Sequence, residues 1–152
     1  MTITDERQQS MTFTEPYFDA VQLIAVGANS KVTKFADLKA LRVAVQTGTT
    51  GDEAVTKLQG KSSSKLKRFE STPLALKELE SGGVDGVIAH YVANNTGSQF
   101  KAISDPAFTP EQYGLVVKAG NTELAAKLST ALAAIRADGT YERIDAQCFG
   151  AR

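Results

Sequence analysis

The stretch "VAVQTGTTGDEA", residues 43–54, places hydroxyls and glycines where a strand hands over to a helix. The strand ends at Gln46 and the helix begins around Gly51, so the first helical N–H groups have no carbonyl partner and favour an anion. Thr47, Thr49 and Thr50 add hydroxyls, while Gly48 and Gly51 let the backbone turn and come close to a ligand. No Lys-Ser/Thr follows the second glycine, so this is not a Walker A loop, and it is not G-x-G-x-x-G. A tight strand-to-helix connection without a ligand explains the same residues. The opening "TITDER" offers a second possibility, with a hydroxyl at Thr2 and a guanidinium at Arg7 suited to gripping a carboxylate with two parallel hydrogen bonds. It also reads as an ordinary helix start capped by Thr4, with Arg7 in solvent.

His90 follows the apolar run "VDGVIA", at the carboxyl end of a strand where α/β folds keep their ligands. His90 and its neighbour Tyr91 fit surface or packing roles equally well. One histidine and one cysteine, with no ligand spacing between them, give no metal site, and no G-x-S-x-G marks a serine nucleophile. Cys148, in "RIDAQCFGAR", is expected in the core, and as the only cysteine it excludes an intramolecular disulfide. No cofactor is implied, and nothing demands an enzyme.

The elements that must position these residues alternate. "AVQLIAV" (20–26), "LRVAV" (41–45), "LKRF" (66–69), "VDGVIA" (84–89) and "YGLVVK" (113–118) read as short buried strands. Helices are expected at "TKFADLKA", capped by Thr33, at "GDEAVTKL", and at "STPLALKELESGG", with Thr72 as cap and Pro73 in the first turn. Asp52 and Glu53 sit at the positive end of the second of these. The order argues for an α/β fold with a largely parallel sheet. The C-terminal part differs. Asn121 caps a helix ending near Gly139, on which Leu124, Leu128, Leu132 and Ile135 line one face. Thr140 caps another, with Tyr141, Ile144 and Cys148 as its stripe.

At 152 residues the chain fits one domain or one lobe of something larger, and 42% hydrophobic with 22% charged residues excludes a disordered chain. Lys+Arg and Asp+Glu balance at 17 each, so no net field recruits nucleic acid or an anionic membrane. The cluster Lys61, Lys65, Lys67, Arg68 reads as a solvated loop. No run approaches the ~18 apolar residues of a membrane helix.

Taken in order, TITDER with the following PYF, the QTGTTG turn, "STPLALKELESGGVDGVIA" and the closing GTYERI…CFG resemble the family 3 solute-binding proteins of bacterial ABC importers. The resemblance runs along essentially the whole chain. It implies a periplasmic binding protein-like (type II) fold of two α/β lobes that clamp a polar amino acid, or a related carboxylate, between them. It also implies a periplasmic location and a partnership with the membrane subunits of an ABC transporter. On that pattern residues 1–18 are the end of lobe one and the first hinge, 19–112 are lobe two, and 113–152 are the returning hinge strand and the helices that pack on lobe one.

Carried across, Thr2 and Arg7 match the lobe-one hydroxyl and the arginine holding the ligand α-carboxylate. Thr49 and Thr50 fall at the turn meeting that carboxylate, and Gln46 where the ligand side chain is contacted. His90 stands where the family usually has an aspartate for the α-ammonium. A neutral imidazole accepts more weakly and a protonated one repels. The resemblance therefore implies truncation, an impaired ammonium grip and apolar helix stripes free to self-associate into a homo-oligomer. An oligomerising remnant without ligand, and a cyclohexadienyl dehydratase-like enzyme using His90, are the other readings.

Overall fold

The computed structural model describes residues 1–90 and 99–149, so Tyr91 lies outside the described residues. Two compact units result: Val21–Thr109, and Met1–Ala20 together with Pro110–Arg152.

The larger unit holds a five-stranded sheet. Its strands are β3 (Leu23–Gly27), β4 (Val43–Gln46), β5 (Leu66–Phe69), β6 (Gly86–Ala89) and β7 (Phe100–Ile103), in the order β5-β4-β6-β3-β7. β4 pairs parallel with β5 and β6, while β3 pairs antiparallel with β6 and β7. Four strands therefore run the same way and β3 alone opposes them. Side-chain alternation explains why the sequence runs look uniformly apolar. Ile24, Val26, Val43, Val45 and Ile88 face one core, with Val55 of α2 (Thr50–Gln59). Ala25, Ala44 and Val87 face the other, with Ala75 and Leu79 of α3 (Thr72–Glu80). Burial on both faces leaves no polar side to the pattern.

Local capping differs from expectation at Thr33, at Thr72 and at Thr140, which lies inside its helix, Thr140–Phe149, with its N–H donating to Asp138. Thr33 does not cap the helix after it. That helix is a 3-10 turn, Phe35–Ala40, entered from Lys34, and the Thr33 hydroxyl donates to the Asp37 carboxylate. Ser71, not Thr72, stands at the start of α3, and the Thr72 hydroxyl donates to Gln46 Oε1 at 3.1 Å. Nor is the basic cluster a solvated loop throughout. Lys67 and Arg68 lie on β5, where Lys67 pairs with Glu78 and Arg68 with Asp52.

The smaller unit pairs distant segments. β1 (Met11–Phe13) runs antiparallel to β9 (Val116–Lys118), and β2 (Phe18–Ala20) antiparallel to β8 (Glu111–Tyr113). "YGLVVK" is thus two strands, broken where the Leu115 N–H donates to Thr14 Oγ1. Thr4 caps α1 (Asp5–Gln8), and Asn121 caps α4 (Thr122–Ala137) by accepting from the Leu124 N–H. Gly139, at φ +76°, ends that helix before α5 (Thr140–Phe149) begins. Cys148 is exposed rather than in the core, because the α5 stripe is largely uncovered, with Ile144 48% accessible. No helix among the described residues is long and apolar enough to cross a membrane.

Candidate functional site

In the larger unit the site grows out of the turn between β4 and α2. Gly48 adopts φ +71°, a conformation costly for any side chain with a Cβ, and swings the chain out of the sheet. Thr49 then caps α2, accepting from the Asp52 N–H at 3.2 Å and donating to the Gln46 carbonyl at 2.8 Å. The Thr47 hydroxyl donates to the Phe69 carbonyl. Two of the three threonine hydroxyls are therefore committed to building the turn. Gln46 is held likewise, with its amide between the Glu70 carbonyl and the Thr72 hydroxyl.

Asp52 occupies the first turn of α2, where its charge would oppose a bound anion. Arg68 removes that objection. Its Nε stands 2.8 and 3.1 Å from the two carboxylate oxygens, and Asp52 also accepts from the Gly48 N–H and the Thr56 hydroxyl. The Asp52 charge at the positive end of the helix dipole is thereby offset, while Glu53, the other acidic residue of that turn, is exposed.

Thr50 and His90 are brought together. Thr50 Oγ1 lies 3.4 Å from His90 Nε2, and between them comes a residue the motif reading passed over. Gln22, just ahead of β3 and only 2% exposed, directs its Nε2 to Thr50 Oγ1 at 2.8 Å and to His90 Nε2 at 3.0 Å. Its signal was present in the sequence as a polar residue inside the apolar run "AVQLIAV". Gly51 has a different task from the expected approach to a ligand. A Cβ there would stand 3.1 Å from Gln22 Oε1 and 3.0 Å from Ile88 Cγ2, so its hydrogen makes room for the buried amide.

Thr2 and Arg7 lie in the smaller unit. Arg7 is tied to its own turn, with Nη1 donating to the Thr2 carbonyl at 3.0 Å. Thr2 is buried and its hydroxyl donates to Glu111 at 2.8 Å. Beside them the Tyr113 phenol is pushed up to about 12, first by burial and then by the Glu111 charge. Among the described residues no three His, Cys, Asp or Glu side chains form a metal-binding group.

The sequence profile of the bacterial extracellular solute-binding proteins, family 3, matches residues 1–151. The chain belongs to that family. This family 3 solute-binding protein is 43% identical to a probable histidine-binding protein of Neisseria gonorrhoeae, over 98% of the chain and 58% of that protein. It is 32% identical to the ABC transporter arginine-binding protein 1 of Escherichia coli, over 98% of the chain and 63% of that protein. It superposes on the arginine-, lysine-, histidine-binding protein ArtJ of Geobacillus stearothermophilus with a TM-score of 0.91 at 42% identity, covering all of the chain and 68% of ArtJ. The chain thus spans less than two thirds of the curated relatives it matches.

Proposed function

We propose that this chain carries the solute-binding role of an amino-acid ABC importer, acting in the periplasm on a polar amino acid or related carboxylate and handing it to the transporter's membrane subunits. The larger unit corresponds to the second lobe of the family pattern and the smaller to its first-lobe remnant, hinge strand and C-terminal helices. The observation that carries the reading is the start of α2, where Arg68 pairs with Asp52 and Thr50 and His90 stand alongside, in a chain of this family. A helix start attracts a carboxylate by its N–H groups and its dipole. Thr49 and Gln46 shape that start, and Arg7, with Thr2 supporting it, is the carboxylate grip of the smaller unit. The role is capture and not catalysis, and no cofactor takes part. The Gln22 amide lies 3.0 Å from His90 Nε2 and occupies the nitrogen a general base would use, so a dehydratase mechanism gains nothing from this geometry.

Isothermal titration with L-arginine, L-histidine, L-lysine and L-glutamine tests the proposal. Saturable heat with at least one of them is expected, weakened at least tenfold by Thr50→Val. Silence across the panel, with the chain folded, overturns it.

Self-association is the second reading, favoured by Leu124 and Ile144 at 42% and 48% accessibility on α4 and α5. Sedimentation should then show a homo-oligomer that Ile144→Glu disperses. A monomer at every concentration sinks that reading.

A further inference from the structure

Gln22 is buried, uncharged and engaged with both Thr50 and His90, yet among the described residues no donor reaches its Oε1. A buried carbonyl oxygen left without a partner is uncommon and asks for a reason. The reason lies in what the other end of the amide does. Its Nε2 has two hydrogens, and two acceptors stand in range: Thr50 Oγ1 at 2.8 Å and His90 Nε2 at 3.0 Å, nearer than Nδ1 at 3.4 Å.

Resting on the binding role above, we propose that Gln22 is the positioning residue of the site, donating one N–H to Thr50 and one to His90 so that Nε2 is the accepting nitrogen of the ring and Nδ1 carries the proton. A proton on Nε2 would set N–H against N–H at this distance. Turning the amide over would require Thr50 and His90 both to donate. It would also move the amine into the buried place of Oε1, where an unmet N–H is harder to accommodate than an unmet carbonyl. Gly51 completes the device, since any larger residue presses on Oε1 from the helix start.

Two uncharged groups that face His90 agree with the assignment. β3's approach contributes Gln22 and α2 contributes Thr50, neither of which titrates in the physiological range. Ile88 and Ala89 precede His90 on β6, and the Asp52 charge in the first turn of α2 is paired with Arg68. The consequence for recognition is specific. His90 adds shape and hydrogen bonding at the α2 start, beside the helix N–H groups and the Thr50 hydroxyl. Selectivity among ligands then depends on ring placement, which Gln22 sets.

His90 is the only histidine in the chain, so imidazole nitrogen NMR of the ligand-free protein reads one ring. In the parent chain Nε2 should resonate as the unprotonated nitrogen and Nδ1 as the protonated one. Gln22→Met keeps the length and removes the donor. The ring should shift toward the Nε2–H tautomer, because the donor that kept Nε2 as the acceptor is gone. Gln22→Glu supplies an acceptor and should drive that shift further. A tautomer unchanged in folded Gln22→Met overturns the proposal. If Gln22→Met does not fold, Gly51→Ala displaces the amide without deleting it, and an unchanged ring there is equally fatal. Because no ligand is present, a failed amino-acid titration would sink the binding role and leave this assignment standing.

Discussion

In the larger unit the sheet is covered on both faces and its apolar side chains are sealed away, whereas in the smaller unit the helices leave Leu124 and Ile144 close to half exposed. Apart from Ala20 and Ala125, every buried apolar residue among the described residues belongs to the larger unit. The smaller one relies on directional bonds instead. Arg136 Nη2 and Tyr141 Oη both donate to the Tyr17 carbonyl at 2.6 Å, and the Arg136 guanidinium lies 4.5 Å above the Tyr141 ring centre. Packing holds the β4–α2 turn of one unit against a sealed core. Hydrogen bonds between remote segments hold the other in register without giving it a comparable core.

The contrast is open to direct attack, and the largest effect is expected in the core. Leu38 is fully buried, so Leu38→Ala should cost about 3–5 kcal/mol in urea unfolding, while Ile144→Ala should stay within about 0.5 kcal/mol. Equal costs would mean that the α5 stripe is covered in solution. Next comes Asp52→Ala, which leaves Arg68 unpaired and takes an acceptor from the Gly48 N–H. We expect a loss of about 2–3 kcal/mol and a weakened amino-acid site together. Stability lost with binding unchanged would show that the turn tolerates disorder in its support.

The smallest effect belongs to the smaller unit. Tyr113 holds its proton more tightly when folded, its pKa raised from 10.0 to about 12. This contribution is complete below pH 10 and is lost as pH rises from 10 toward 12. Melting followed on either side of pH 10 should show a decline that Tyr113→Phe removes. A decline of the same size in the variant would place its origin elsewhere.

Much of this was legible wherever the signal was local. Asn121 and Gly139 bound α4 because a cap and a left-handed stop are short-range geometry. The turn at Gly48 was visible for the same reason. What escaped depends on partners far along the chain. β7 is only four residues long, Phe100–Ile103, with Lys101 among its apolar residues, and its place is set by the edge that β3 offers it. "YGLVVK" breaks because Thr14 intervenes, and Cys148 is exposed because amphipathic spacing says which face is apolar and not whether anything covers it. The threonines of the β4–α2 turn looked alike in the sequence. Only the fold separates Thr47 and Thr49, which build the turn, from Thr50, which joins Gln22 and His90.

The pairing of Ala20 with Glu111 has a kinetic corollary. The strands it joins flank the whole of Val21–Thr109, and closing a flexible loop of that length costs about 4 kcal/mol of chain entropy. Once the larger unit has folded, its two ends are already fixed, and that penalty falls away. From this connectivity we expect the inserted sheet to form first and the β2–β8 ladder to close after it, an order that protection of Ala20 and Glu111 amides later than those of β4 in pulse-labelled refolding would bear out.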